Sequence, residues 1–247
     1  ILNNACFSVS CRNKPNSWDM ESWLAVYGNR VNKFGSITSV FGFVEFTPLY
    51  GGRLFKNVEI TSDDMAFLSD NNINLRLPLT NMFVDEEMYE DNRWFLDKFY
   101  GSNTSILCSS DFLARRIRED YPDYKLEASA VMDIHPKDVA EYLKLYDTVV
   151  LPPSMSDKYE LLEKIQDKHR VTVFGRGGCA YNCPSKICYP SISKAHKNPN
   201  TNRSVKCSKN SIPREELPPF LEFDLEKLSD IGFSNFKFTS SVLGWST

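Results

Sequence analysis

The sequence predicts an α/β fold in which eight parallel strands alternate with helices and close into a barrel. The first observation behind this prediction is an alternation, along nearly the whole chain, of short apolar segments rich in β-forming residues with amphipathic segments of helical periodicity. The second is the number of strand segments, because eight parallel strands can close a sheet around the side chains that fill it. The third is the length of 247 residues, which is usual for such a barrel.

The first four strands are predicted at 5–10, 40–46, 73–79 and 104–108, where β-branched and aromatic residues are concentrated. The helices between them are predicted over 18–30, 61–69 and 85–100. The first helix follows Asn16 and Ser17, which are residue types that cap helix N-termini. The second begins at Thr61 with acidic residues in its first turn, and the third ends at Gly101, a typical helix C-terminus.

The second half of the chain continues the same alternation. The remaining strands are predicted at 125–131, 147–151, 170–174 and 235–239, and the remaining helices over 112–120, 136–146, 157–168 and 224–230. Pro122 stops the first of these helices, Pro136 occupies the first position of the second, and Gly232 closes the last.

An open, doubly wound sheet is the alternative to a barrel. It would need a glycine-rich phosphate-binding turn after the first strand. The glycine-rich turn of this chain, at 175–178, follows the seventh strand instead. The sequence therefore favours a (β/α)8 TIM barrel, forming a single domain over residues 1–247.

The composition is that of a globular protein, with 42% hydrophobic and 25% charged residues, and it excludes a disordered or collagen-like chain. No apolar run approaches the roughly 18 residues that a membrane-spanning helix needs, so we expect no membrane partner. The first residues lack the basic region and apolar core of a secretory signal. Together with an odd number of cysteines, seven, this predicts a reducing, cytoplasmic location.

A basic, cysteine-rich insertion is predicted over 175–214, directly after the seventh strand. Residues 171–214 contain eight Lys and Arg residues and no Asp or Glu, although the whole chain has a net charge of −3. Four cysteines follow one another there with the spacing C-x3-C-x4-C-x18-C: Cys179, Cys183, Cys188 and Cys207. Four thiolates suit a [4Fe–4S] cluster or a tetrahedral zinc ion. The third interpretation is that the four thiols bind no metal. Cys11 and His196 are candidate substitutes for one ligand.

Active sites of such barrels lie at the carboxyl ends of the strands, and the candidate site residues are taken from there. Glu45 and Arg176 are the catalytic candidates, with Glu45 serving in acid–base chemistry or, alternatively, in an ion pair. Asn81, Ser129 and Lys237 are the candidates for substrate binding. The sequence contains no G-x-S-x-G, H-E-x-x-H or Walker motif, so hydrolase chemistry has no support from motifs.

The basic segment also suggests a partner. Its charge would attract an anionic small molecule or RNA, with Tyr181 and Tyr189 available to stack on bases. The alternative is that its lysines offset the negative charge of a cluster, or simply form a solvated loop.

Several segments resemble the collagenase-like peptidase family of iron–sulfur barrels. Residues 121–129, YPDYKLEAS, resemble the family's strand YPDLKLHAS, and 171–179, VTVFGRGGC, resembles EVFVHGALC, which delivers the first cluster cysteine. Residues 147–152 and 224–237 are similar to the sixth strand and to the last helix and strand. The Arg-Glu that follows the family's sixth strand is replaced by Pro153 and Ser154, and the terminal Glu-Gly-Arg by Ser240, Ser241 and Val242.

The resemblance implies a TIM barrel that uses a [4Fe–4S] cluster for oxygen-independent hydroxylation of tRNA or ribosomal RNA bases or of the ubiquinone ring. Cys179 matches the first cluster ligand, and Cys183, Cys188 and Cys207 are expected as the others because they follow it.

Three hypotheses result. The first is an iron–sulfur-dependent, oxygen-independent hydroxylase acting on RNA or on a small aromatic or anionic substrate. The second is a non-enzymatic barrel, stapled by zinc or a cluster, that binds RNA or a protein partner through its basic loop. The third is a barrel lyase or aldolase that uses Lys237 as an amine nucleophile.

Overall fold

A computed structural model describes residues 4–101, 103–200, 204–209 and 211–240. Its centre is a closed barrel of eight parallel strands, which confirms the predicted fold class. These strands are β1 (Ala5–Ser10), β2 (Gly35–Phe41), β3 (Asn74–Leu77), β4 (Thr104–Cys108), β5 (Lys125–Ala128), β6 (Thr148–Val150), β7 (Val171–Gly177) and β9 (Asn235–Phe238). Neighbours in this order pair with one another, and β9 pairs with both β7 and β1, which closes the cylinder. A two-residue strand, β8 (Leu221–Glu222), pairs antiparallel to the end of β7.

Helices follow most of the strands and cover the outside of the barrel. They are α1 (Met20–Val31), α2 (Ser62–Asp70), α3 (Glu86–Asp91), α4 (Arg93–Phe99), α5 (Asp111–Asp120), α6 (Val139–Tyr142), α7 (Tyr159–Leu162), α8 (Cys188–Lys197) and α9 (Leu225–Ile231). Within the described ranges, no helix is both long enough and apolar enough to cross a membrane. Ser241 and Val242, named in the family comparison above, lie outside the described residues, as does Arg203, one of the eight basic residues of 171–214.

The second strand is shifted from its prediction. It spans 35–41, whereas the sequence predicted 40–46. After Gly42 the chain leaves the sheet, and the Phe43 ring packs against the rings of Tyr50 and Phe55, with centroids 4.6 and 5.2 Å apart. The apolar run 43–46 therefore belongs to a packed loop, and its β propensity is overridden by tertiary contacts.

Three helices differ from their predicted bounds, and one helix begins at a different N-cap. The helix expected over 85–100 is broken at Asn92, whose amide nitrogen donates to Met88 O at 2.8 Å and whose amide oxygen accepts from Thr47 Oγ1 at 3.1 Å. The helices expected over 136–146 and 157–168 shorten to the single turns α6 and α7. The N-cap of α1 is Asp19, which accepts from Ser22 N at 2.8 Å, and neither Asn16 nor Ser17.

The barrel interior is built in layers, one polar and one apolar. In the polar layer, Arg76 on β3 forms a two-pronged ion pair with Glu127 on β5, and both side chains are nearly inaccessible to water. Ser105 and Thr148 donate to the two Glu127 oxygens at 2.8 and 3.0 Å, so the carboxylate is fully hydrogen-bonded. Toward the carboxyl ends of the strands, the next layer is a small apolar cluster of Phe41, Leu107, Val150 and Phe174.

Replacing Glu127 tests the importance of the polar layer. Glu127→Ala leaves the Arg76 guanidinium buried without its partner, and we expect a loss of about 3–5 kcal/mol in the free energy of unfolding. Urea denaturation followed by circular dichroism measures it. The control is Glu141→Ala, which removes an exposed ion pair with Lys144 and should cost less than about 1 kcal/mol. Equal losses in the two variants would contradict a structural role for the buried pair.

Candidate functional site

A cavity of about 190 Å³ opens at the carboxyl ends of the strands. We call it the mouth cavity. Its floor is the apolar layer, represented by Phe41, Leu107 and Phe174. Its polar wall is made of Lys237, on β9, and of side chains that follow other strands: Arg12, Arg53, Ser129, Cys179 and Cys188. This is the place where parallel barrels carry their binding and catalytic groups.

Lys237 stands at the edge of the apolar floor. It lies on β9, is only 7% exposed, and its Nζ is 4.2 Å from the centroid of the Phe41 ring and 5.8 Å from that of Phe174. No hydrogen bond or ion pair joins this amine to another residue in the part of the chain that the structure describes. Burial, followed by the charges of Arg76 and Arg53, lowers the pKa of Lys237 from 10.5 to about 7. The amine is thus partly uncharged at neutral pH.

Arg53 is fixed in the loop that follows β2. Its guanidinium forms a two-pronged ion pair with Glu59, with 2.6 Å between Nη1 and Oε1, and lies 3.8 Å above the centroid of the Phe43 ring. Two glycines bring this loop against the end of β3. A Cβ at Gly51 would lie 2.1 Å from Thr80 O, and Gly52 has a φ of +72°.

Arg12, just beyond β1, is the second cation of the wall. Burial lowers the pKa of Arg12, and the nearby positive charge of Arg53 lowers it further. The two guanidiniums are therefore close enough to repel each other, and an anion in the cavity would relieve that repulsion.

Two of the four cysteines of the basic segment, Cys179 and Cys188, border this cavity. Cys179 follows β7 in a 3₁₀ turn, Cys188 begins α8, and both line the cavity wall, while Cys183 and Cys207 lie in the irregular segments around them. Burial, followed by the charges of Cys179, Cys183 and Cys207, raises the pKa of Cys188 to about 12. The pKa of Cys179 is raised by burial and by Cys183 and Cys207. The charges of Cys183 and Cys207 thus act on both thiols that line the cavity.

Cys183 differs from the other thiols. Burial by itself would raise its pKa, but the thiol shares a hydrogen bond with Ser208 Oγ at 3.5 Å and accepts from Lys186 N at 3.3 Å, and the net effect is a lowered pKa. A hydrogen-bonded thiol with a lowered pKa is more readily present as the thiolate that binds metals.

The cysteines do not form an assembled metal site in this conformation. Across residues 4–101, 103–200, 204–209 and 211–240, no three His, Cys, Asp or Glu side chains are arranged as ligands of one ion. His196 does not substitute, because its Nδ1 bonds to Tyr50 O at 2.8 Å and its Nε2 accepts from Phe55 N at 3.1 Å. Cys11 is fully buried beside Gly42 and does not line the mouth cavity.

Three of the predicted site residues lie outside the mouth cavity. Glu45 sits in the loop beyond β2, where it forms a partly exposed ion pair with Lys98, the alternative role considered for it. Arg176 pairs with Glu222 of β8 at 3.2 Å. Asn81 is fully buried, and its amide donates to Pro48 O and Ser193 O, each at 2.8 Å, so it ties α8 to the barrel. The structure brings together the other predicted residues, Ser129, Lys237, Cys179 and Cys188, at one cavity.

Arg12 and Arg53 are wall residues that the sequence analysis missed. Both follow a strand within a loop, and the misplaced boundary of β2 hid the second of them. The pair Gly51-Gly52 directly before Arg53 was the available signal, because adjacent glycines mark a close backbone approach.

The basic residues of the cysteine segment are partly neutralised by neighbouring loops. Lys197 pairs with Asp85, and Lys186 pairs with Asp133. The hydroxyl of Tyr181 donates to Asp157, so this side chain is already engaged in a contact within the protein. Tyr189 lines the mouth cavity and is therefore the better placed of the two tyrosines to contact a ligand.

The comparisons with known proteins agree with the barrel and leave the activity open. No family model and no curated protein matches the sequence. A solved structure described as the U32 peptidase Mk0906 superposes with a TM-score of 0.62 and 11% sequence identity, over 98% of this chain and 95% of that one. At this identity the similarity shows the fold alone, a (β/α)8 TIM barrel.

The titration of Lys237 makes stability depend on pH. Because its pKa is lowered in the folded protein, the unfolded chain holds a proton between about pH 7 and 10.5 that the folded chain lacks, so stability rises with pH in that window. Lys237→Met removes this dependence. We expect the variant's stability advantage over the wild type to be largest near pH 6 and to shrink above pH 7, by at most about 1.4 kcal/mol per pH unit.

Urea denaturation of both proteins at about pH 6, 7.5 and 9 measures the effect. Lys137→Met, at an exposed position, is the control and should follow the wild type at every pH. Parallel curves for the wild type and Lys237→Met would show that Lys237 titrates as an ordinary surface lysine.

Proposed function

We propose that this chain is a barrel of the collagenase-like peptidase family that holds a [4Fe–4S] cluster at its mouth and supports oxygen-independent hydroxylation of an anionic or aromatic substrate. The observation that carries the proposal is that Cys179 and Cys188 border the same cavity as Lys237 and two arginines. The sequence resemblance is to this family, and the structure with the shared fold is described as a U32 peptidase, which belongs to it.

The donor chemistry fits a cluster. Cys179, Cys183, Cys188 and Cys207 would be the ligands, since the charges of Cys183 and Cys207 raise the pKa of both Cys179 and Cys188. Among the described residues the sulfur atoms are not arranged around one point, and Cys183 and Cys207 lie on irregular segments while Cys188 begins α8. A bound cluster would supply electron transfer at the cavity wall.

The chain's own residues would bind and orient the substrate. Phe41, Leu107 and Phe174 offer an apolar floor for a flat ring, and the cations Arg12 and Arg53 attract an acidic group. A volume of about 190 Å³ suits one ring rather than a polymer, so an RNA substrate would enter as a single base turned out of its strand.

A zinc-stapled, non-enzymatic barrel is the second candidate. The anchoring of α8 favours it, because Asn81, Ser193 and His196 already hold that helix against the barrel loops. Zinc would complete this attachment, and the basic segment would then present Lys194 and Lys206 to RNA or a protein partner.

Anaerobic purification, with a visible spectrum and analysis of iron, sulfide and zinc, tests both candidates. We expect a brown protein with about four irons and four sulfides per chain. Cys188→Ser should lose most of the iron because it removes one of the four proposed ligands. Cys6→Ser, which changes a thiol at the opposite end of the barrel, is the matched control and should retain it.

The outcomes separate the candidates. A colourless protein with one zinc per chain supports the stapled barrel and rejects the hydroxylase. A protein that holds neither metal after anaerobic purification and reconstitution with iron and sulfide rejects both, as does equal metal loss in Cys188→Ser and Cys6→Ser.

A further inference from the structure

Lys237 combines three properties that a purely structural lysine does not need. Its side chain is more than nine-tenths buried, its amine has no hydrogen-bonding or ionic partner among the described residues, and it faces a cavity. An unpaired buried amine destabilises a protein, and a methionine would fill the same space at lower cost. A reactive role for the amine therefore explains a lysine at position 237 better than a structural role does.

We propose that Lys237 forms an imine with the carbonyl carbon of a small substrate that carries an anionic group. The uncharged amine adds to the carbonyl carbon and forms a C–N bond. The nitrogen then gives up two protons, the carbonyl oxygen takes up two, and the C–O bond breaks as this oxygen leaves as water. No electrons are gained or lost in this step, and it needs no metal or other reactant. The inference goes beyond the proposed cluster function and does not depend on it.

The surroundings keep the amine nucleophilic. Arg76 faces it from β3 and Arg53 from the loop after β2, and both charges oppose protonation in addition to burial. The carboxylates of Glu127 and Glu59 are engaged by these two arginines, and neither forms an ion pair with the Lys237 amine. A lysine with a pKa of about 7 has a substantial uncharged fraction at neutral pH.

The remaining titratable groups at the cavity are Arg12, Cys179, Cys188 and Tyr189. Burial raises the pKa of each of these two thiols and of Tyr189, so all three are neutral near pH 7. Arg12 is then a cation of the wall that, with Arg53, is placed to hold the substrate's acidic group.

Ser129 is placed to assist the loss of water. Its hydroxyl lines the cavity and accepts from Val131 N at 3.3 Å, which leaves its own proton available to the departing oxygen. The apolar floor formed by Phe41 and Phe174 would exclude bulk water from the imine and slow its hydrolysis.

Reductive trapping tests the proposal on the full chain. The protein is treated with a chelator, incubated with glyoxylate and sodium cyanoborohydride at about pH 7, and digested for peptide mass mapping. Cyanoborohydride converts an imine to a stable secondary amine. We expect the peptide containing Lys237 to be labelled at least about tenfold faster than peptides with exposed lysines, because more of its amine is uncharged at this pH.

Two comparisons make the result specific. Labelling of Lys237 should increase through about pH 7, whereas labelling of exposed lysines should increase only toward about pH 10. Acetaldehyde, a small aldehyde without a charge, should label Lys237 more slowly than glyoxylate if Arg12 and Arg53 hold the anion. Lys237→Met should lose the fast adduct, and Lys137→Met should keep it.

The wild-type peptide map is sufficient to overturn the proposal, so the result does not depend on the folding of a variant. Labelling of Lys237 no faster than that of exposed lysines rejects the imine. Because the protein is chelated, fast labelling of Lys237 in a chain that never binds iron leaves this inference standing while the cluster function fails. If the protein binds the cluster and Lys237 stays unlabelled, the cluster function stands and the imine proposal fails.

Discussion

The placement of charge inside a closed cylinder is the constraint on which the rest of this structure depends. Arg76 and Glu127 meet that constraint by complete pairing, with Ser105 and Thr148 satisfying the remaining acceptor positions. Lys237 lies one layer closer to the mouth and has no such partner within the described chain. The Arg76–Glu127 pair is therefore structural, whereas the environment of Lys237 favours the neutral form of its amine.

The rim of the barrel is held together by polar contacts to backbone atoms. Asn81 and His196 join α8 to the loops after β2 and β3 through four hydrogen bonds to main-chain groups. These contacts fix the helix that begins at Cys188, whereas Cys183 and Cys207 lie on irregular chain. One side of the cysteine group is therefore anchored, and the other side lacks a regular element to hold it.

The sequence predicted the barrel because its strand segments are short, apolar and regularly spaced. β1 and β4 agree with their predicted bounds, and the last strand ends within one residue of its prediction. That is why Lys237, which is located on the last strand, lies at the mouth as predicted. Ser129 also lies there, although β5 ends at Ala128 and not at residue 131. Glu45 was misplaced because the apolar run 43–46 packs as a loop, a choice made by distant aromatic partners and invisible in local propensity.

The contacts that hold Arg53 in place affect how tightly the cavity can bind an anion. Glu59 accepts hydrogen bonds from both terminal nitrogens of Arg53, and the guanidinium stacks on the Phe43 ring. A free arginine loses up to about 2 kcal/mol of rotamer entropy when it is immobilised. For Arg53 much of that loss occurs during folding, so an arriving anion meets a preorganised side chain. The stacked pair thus allows a cavity this small to select for charge without an induced fit.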